Sequence, residues 1–370
     1  MIIIKDIKIS QLEEFINSDE YKEMKYIPIT PQRAVSNIYN PNGDKDDKVL
    51  FLAYDDDKFI GYLGALSDKF IINNVYVKVA WLSCMWIDKN YRGQGIAVKL
   101  LNHASQIWNS NLLITNYIPV SRKTFEKTGR FTEFKSIQGL RGYLRFNLAE
   151  IILMKKPGLN GIKWLFLLFD FLANLINDLR LAFWKAAMNI SRIKIEYLHE
   201  IDNETAQFIS QRSKNNLSQK SKTVMDWIKK YPWVLSTPFK DEMSRRYEFS
   251  AVSGNFNQLF IKIVNNENKI VAFLMLTVHG RHLKTPYLFF DSSYGGVVRK
   301  VILAHLLNLK VRTFTTYHPE LVKVLKSERN PFILVRKITH NTLITKELLQ
   351  KVQDAGKYVL MEGDGDYAFV

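Results

Sequence analysis

The chain has 370 residues, with 52 lysines and arginines against 36 acidic residues, a net charge of +16, and is 47% hydrophobic and 13% aromatic. That length exceeds what one hydrophobic core usually fills, so two domains are expected, and the apolar share excludes global disorder. The basic residues are scattered rather than gathered in one helix or tail; they favour anionic partners, and without a nucleic-acid-binding module nucleic acid is not expected among them.

A single cysteine, Cys84, excludes an internal disulfide and a cysteine-based metal cluster, and reads as a small buried hydrophobe. The seven histidines show no H-x-x-x-H spacing, so no metal is expected. Residues 1–7 carry an early acid and no apolar stretch of signal-peptide length, and read as a first strand. A reduced, cytoplasmic protein is expected.

Residues 49–55 and 58–66 read as a hairpin turning at Asp55-Asp56-Asp57. A longer strand follows over 75–87, its pattern broken from Trp81 to Cys84. Residues 95–108 have apolar side chains at helical spacing, 111–118 form a strand, and 121–128 a short helix stopped by Gly129. Strands continue to about residue 147. The order predicts a mixed α/β fold.

The most informative stretch joins the long strand to the helix. Met85 and Ile87 lead into Tyr91, Arg92, Gly93, Gln94, Gly95, Ile96 and Ala97 with no spacer before the helix. A strand, a glycine turn and a helix start make an anion cradle: free amides and the positive helix end meet at one spot. Glycine lets a diphosphate approach the backbone. Neither G-x-x-x-x-G-K-[ST] nor G-x-G-x-x-G is present.

Arg92-x-x-Gly95-x-Ala97 resembles the acetyl-CoA loop of the GNAT acetyltransferase superfamily. The element order over residues 1–150 resembles its fold, and Thr124 to Gly129 resembles that family's tyrosine-glutamate-lysine-x-glycine stretch, with Phe125 at the tyrosine position. The resemblance implies that Met85 and Ile87 pair by their backbones with the pantetheine chain, that Arg92 to Ala97 hold the diphosphate, and that Phe125 lies beside the donor. Family bases sit nine or eleven residues before the motif, where this chain has Ser83 and Trp81. Ser83 could hold a proton-carrying water, while Tyr117 or Asn116 could stand in for the missing tyrosine acid.

Beyond a boundary of breakers at 155–161 lies an apolar segment, 162–180, in which Lys163, Asp170, Asn174, Asn177 and Asp178 form one stripe. No run approaches the uncharged length of a membrane span. A helix packed against both domains is the expected reading; peripheral membrane contact through 162–184, with Trp164, Phe166 and Trp184 inserted, is the alternative.

The carboxy-terminal half repeats the element order, from Leu259–Val264 through a helix at 296–307 to a short helix at 320–327. Where the cradle should stand it has Ser293 to Val298 and no arginine in register. Two tandem GNAT-like domains are therefore expected, 1–153 and a degenerate 194–370, joined by a helical linker at 154–193. His318 and Asp366 are candidate acceptor contacts. The function expected is N-acetyl transfer from acetyl-CoA to a small amine, such as an amino sugar of a cell-surface polysaccharide pathway. A non-catalytic CoA-binding sensor or scaffold, and FemABX-like aminoacyl transfer, are the alternatives.

Overall fold

The computed structural model describes residues 1–370 apart from 116, 118, 189, 191–192 and 239–242. In chain order its main elements are β1 Ile2–Lys8, α1 Pro31–Ile38, β2 Lys48–Asp55, β3 Lys58–Ile72, β4 Val75–Ile87, α2 Ile96–Ile107, β5 Leu112–Thr115, α3 Pro119–Lys127 and β6 Phe131–Tyr143. Next come α4 Leu148–Lys155, α5 Lys163–Ala187, β7 Lys194–Tyr197, β8 Phe256–Val264, β9 Ile270–His279, β10 His282–Phe290, α6 Gly295–Asn308, β11 Thr313–Thr316, α7 Pro319–Ser327 and β12 Leu334–Thr345. This is a mixed α/β fold. Local chemistry sets several of the ends: Thr30 caps α1 by accepting from the Arg33 amide, with Pro31 in the first turn.

The chain forms two compact units, and both are discontinuous in sequence. The first comprises 1–137, 198–258 and 340–370; the second comprises 138–197 and 259–339. This differs from the contiguous division at 153 and 194. Segments 198–258 and 340–370 join the first unit because their aromatic side chains find burial there: Trp227 donates to the Ser36 carbonyl at 2.7 Å, and Trp233 and Phe369 stack at 4.8 Å. Burying each such ring contributes about 2–3 kcal/mol, which outweighs chain proximity.

In the first unit the strand order is β1-β2-β3-β4-β5-β12. Neighbours run antiparallel except β4 and β5, which are parallel and share only the pairs Ala80–Leu112 and Trp81–Leu113. β4 also carries a bulge: Tyr62 pairs with Trp86 but Gly64 with Ser83, and Cys84 sits at φ +53°. The extra residue bends the strand. Beyond Trp81, β4 has no ladder partner in β5 among the described residues. One apolar cluster packs α2 and Phe125 on one side of this sheet, and a second packs Leu12, Tyr21 and Trp86 on the other.

In the second unit the order is β6-β11-β10-β9-β8-β7, with β10 and β11 parallel. Its core gathers Ile302, Leu306, Phe314 and Leu321. The order of elements seen from β2 to β6 recurs here from β8 to β12.

The helix expected to pack against both domains, α5, packs Leu181 and Trp184 on the core of its own unit and turns a long apolar side outward. Asp170 and Asn177 of α5 are buried, whereas Trp164, Phe171, Ile176 and Phe183 are exposed. The polar stripe faces inward because its groups satisfy backbone atoms of their own unit. Asp170 accepts from the amides of Leu148 and Ala149 at 2.8 and 2.9 Å, and Asn177 donates to the Leu144 carbonyl at 2.8 Å.

Candidate functional site

The turn after β4 is open. Gly93 and Gly95 adopt φ of +83° and +79°, and a Cβ added to either would meet no atom within 4 Å. A side chain there would cost about 1–2 kcal/mol in backbone strain alone. Gly95 caps α2, so the amides of Ile96, Ala97 and Val98 are first-turn donors without an intrahelical acceptor. Arg92 and Gln94 are exposed; each donates back to the turn, Arg92 Nε to the Ile87 carbonyl and Gln94 Nε2 to the Asn90 carbonyl, both at 3.1 Å. Ile96 anchors the helix start in the core, while Ala97 is half-buried. The open amides, the helix dipole and an arginine suit a diphosphate.

Met85 and Ile87 are half-buried on the stretch of β4 that pairs with β3 but has no described partner in β5, and they pack against the apolar cluster beneath α2. Their backbone can serve an extended ligand lying along that side of the strand. Phe125, expected beside the donor, is fully buried, edge-on to Phe131 at 5.2 Å. It is a core residue with no surface to offer, because its ring fills the space between α3 and the sheet.

Tyr117 has a buried hydroxyl with no hydrogen-bond partner among the described residues. Burial raises its pKa, so the phenol stays protonated and able to donate at neutral pH. An orphaned buried hydroxyl costs about 1–3 kcal/mol, which is recovered when a ligand accepts from it. Asn116 lies outside the described residues.

Ser83 is buried, and its Oγ accepts from Arg33 Nη2 at 3.1 Å. Arg33 was not singled out by sequence reasoning, since one arginine inside α1 carries no signal. Its guanidinium is buried, lies 3.9 Å from the Trp233 ring centroid, and donates to Cys84 Sγ at 2.7 Å and to the Tyr247 hydroxyl. It makes no ion pair among the described residues, and the Asp366 carboxylate acts on it through space. Arg33, Asn37, Ser83, Cys84 and Trp233 line a cavity of about 10 Å³, room for one water. Cys84 is thus half-buried beside a cation, rather than a buried hydrophobe.

A second residue that the sequence did not flag is His340 on β12. Its Nε2 lies 2.5 Å from Thr115 Oγ1 at the end of β5, and burial lowers its pKa to about 4, keeping the ring neutral. His318, by contrast, caps α7 through Nδ1, stacks on Phe290 at 4.7 Å and is held to a pKa of about 4 by burial. It belongs to the second unit and Asp366 to the first. The tail bearing Asp366 is anchored by a buried ion pair, Lys220 with Asp364 at 3.1 Å.

Residues 11–112 match the family model described as Acetyltransferase (GNAT) family. Among solved structures, the chain is similar to a GCN5-related N-acetyltransferase from Anabaena variabilis ATCC 29413, at 10% identity and a TM-score of 0.51, over 96% of this chain and 75% of that one. It is also similar to a probable N-acyltransferase from Enterococcus faecalis V583, at 9% identity and a TM-score of 0.49, over 95% and 74%. Saccharomyces cerevisiae N-myristoyltransferase with bound myristoyl-CoA aligns at 8% identity and a TM-score of 0.49, over 93% and 82%. At 10% identity the first of these likenesses is one of fold. No curated protein matches the chain in sequence. The match over residues 11–112 is thus to the GNAT family, and that segment holds the open glycine turn.

Proposed function

We propose that this chain is a GNAT-superfamily acyltransferase that uses acetyl-CoA as donor and a small amine as acceptor, an amino sugar of a cell-surface polysaccharide pathway being the acceptor class first to test. The observation that carries the reading is the turn itself, with two left-handed glycines facing open space at a helix start. When bound, the CoA thioester supplies an activated acyl group. The chain's own work is to hold it: amides of Gly93 to Ala97 and the Arg92 guanidinium on the diphosphate, and the free edge of Met85 to Ile87 along the pantetheine chain.

Proton handling falls to the end of β5. The Tyr117 phenol, protonated and lacking a partner, donates to the departing sulfur. His340, neutral beside Thr115, has a ring nitrogen that can relay a proton from a water on the acceptor side. Ser83 is less suited, since a hydroxyl already accepting from a cation is a poor base. Arg33 is a positioning residue that pins the bulge from which the free edge of β4 departs. We read the second unit, with its repeated element order, as a degenerate copy without a donor site. The single cysteine suits a reducing, cytoplasmic setting.

The test is thiol release from acetyl-CoA with a panel of amines and, in parallel, hydroxyl compounds. Turnover with an amine in the wild type, and at least tenfold weaker CoA binding by calorimetry in Arg92→Glu, are expected. CoA binding with no thiol release across the panel would turn the reading to a non-catalytic sensor.

A further inference from the structure

Helix α5 is built inside out. Its polar residues are consumed by the backbone of its own unit: Asp170 caps the start of α4, Asn174 bonds both the amide and the carbonyl of Phe146, Asn177 takes the Leu144 carbonyl, and Arg180 donates to the Pro331 carbonyl at 2.7 Å. Asp170 and Asn177 are 8% and 4% exposed, whereas Ile176 and Phe183 are 71% and 76% exposed. From Trp164 to Phe183 the only charged residues are Asp170, Asp178 and Arg180, and all three sit on or beside the inward stripe. The outward arc, with Trp164, Leu168, Phe171, Leu175 and Leu179, carries no charge. A soluble monomer rarely leaves so long an apolar face uncovered.

Charge marks what covers it. On one flank of the helix, Leu167, Phe171 and Leu175 share a cavity of about 340 Å³ with Arg145, Arg281 and Arg312. Arg145 is paired with Asp178, and Arg312 reaches Asn147 and Glu150 at 3.2 and 3.4 Å. Arg281 is exposed and its guanidinium has no partner among the described residues. Lys155, Lys156 and Lys163 stand exposed where the helix begins. An apolar arc bordered by arginine and lysine matches the boundary between acyl chains and anionic headgroups.

We propose that α5 lies flat in the surface of an anionic bilayer, its outward arc among the acyl chains and a lipid phosphate at Arg281 in the flanking cavity. By length and composition the helix could cross a membrane; the sequence reading found no such run. Crossing would, however, strip Asp170, Asn174, Asn177 and Arg180 from the backbone groups they satisfy, leaving several unpaired polar atoms in hydrocarbon. The helix therefore rests on the membrane and does not span it.

The experiment is flotation of the full chain with vesicles of phosphatidylcholine alone or doped with phosphatidylglycerol. The wild type is expected to float with the anionic vesicles and to be released by alkaline extraction, with a blue shift of tryptophan emission. Arg281→Gln should lower partitioning to anionic vesicles about fivefold, the effect of one interfacial charge. The double substitution Phe171→Asp with Phe183→Asp should abolish flotation. Both changes lie on the surface, and unchanged CoA affinity by calorimetry shows the fold intact and keeps this test apart from that of the donor site. Three results overturn the proposal: a wild type that floats with neither vesicle, one that resists alkaline extraction as a spanning helix does, or a lipid-free dimer in sedimentation that the double variant dissociates.

Discussion

The two strand-to-helix junctions, one in each unit, use glycine for opposite purposes. After β4, Gly93 and Gly95 are left-handed and look onto open space. After β10, Gly295 is helical, at φ −53° and ψ −40°, and buried; a Cβ there would come within 2.9 Å of the Val324 side chain. The first junction leaves the first-turn amides of α2 beside open space. The second lets α6 pack closely on α7. Similar element order thus says little about binding until the backbone angles at the turn are known.

Four substitutions or conditions probe this contrast. The largest effect is expected from Gly95→Trp, which forces an indole into the cradle at a positive φ: CoA affinity should fall at least a hundredfold in calorimetry while circular dichroism stays native. Retained affinity would mean the two junctions do not differ in function. Tyr117→Phe, next in size, should lower kcat about tenfold with little change in KM or melting temperature, because the lost hydroxyl has no partner among the described residues. A drop in stability instead would assign Tyr117 to the core.

Acid, in contrast, should not distinguish the units. His340 in the first and His318 in the second are both held by burial to pKa values of about 4. In the unfolded chain they take up protons near pH 6.5. Between those values the unfolded state binds more protons, so stability falls as pH drops from about 6.5 towards 4. Urea midpoints across that range measure it, and a flat profile would contradict the burial of both rings. The smallest effect is expected at Gly296→Ala. Its added Cβ would meet only Glu328 Oε1 at 3.8 Å, so it should stabilise α6 by up to about 1 kcal/mol and leave CoA binding untouched.

Legibility followed distance along the chain. The cradle could be read because strand, turn and helix start are consecutive residues, and glycine records a backbone angle in its identity. The same locality exposed the hairpins and the helix at 96–107. Phe125 misled because a motif position says nothing about burial: a phenyl ring without a hydroxyl has every reason to enter the core.

From the sequence alone came the mixed α/β class, the glycine turn before α2 and the missing arginine of the second junction, all determined by short-range stereochemistry and charge. Tertiary structure alone decided that Arg33 would pin the β4 bulge, that His340 would return to the end of β5, and that segments 198–258 and 340–370 would complete the first unit. It also chose which side of α5 faces in. A helical stripe of polar residues reads the same whether it meets water or unsatisfied backbone, and only the carbonyls and amides at Leu144, Phe146, Leu148 and Ala149 settled the direction.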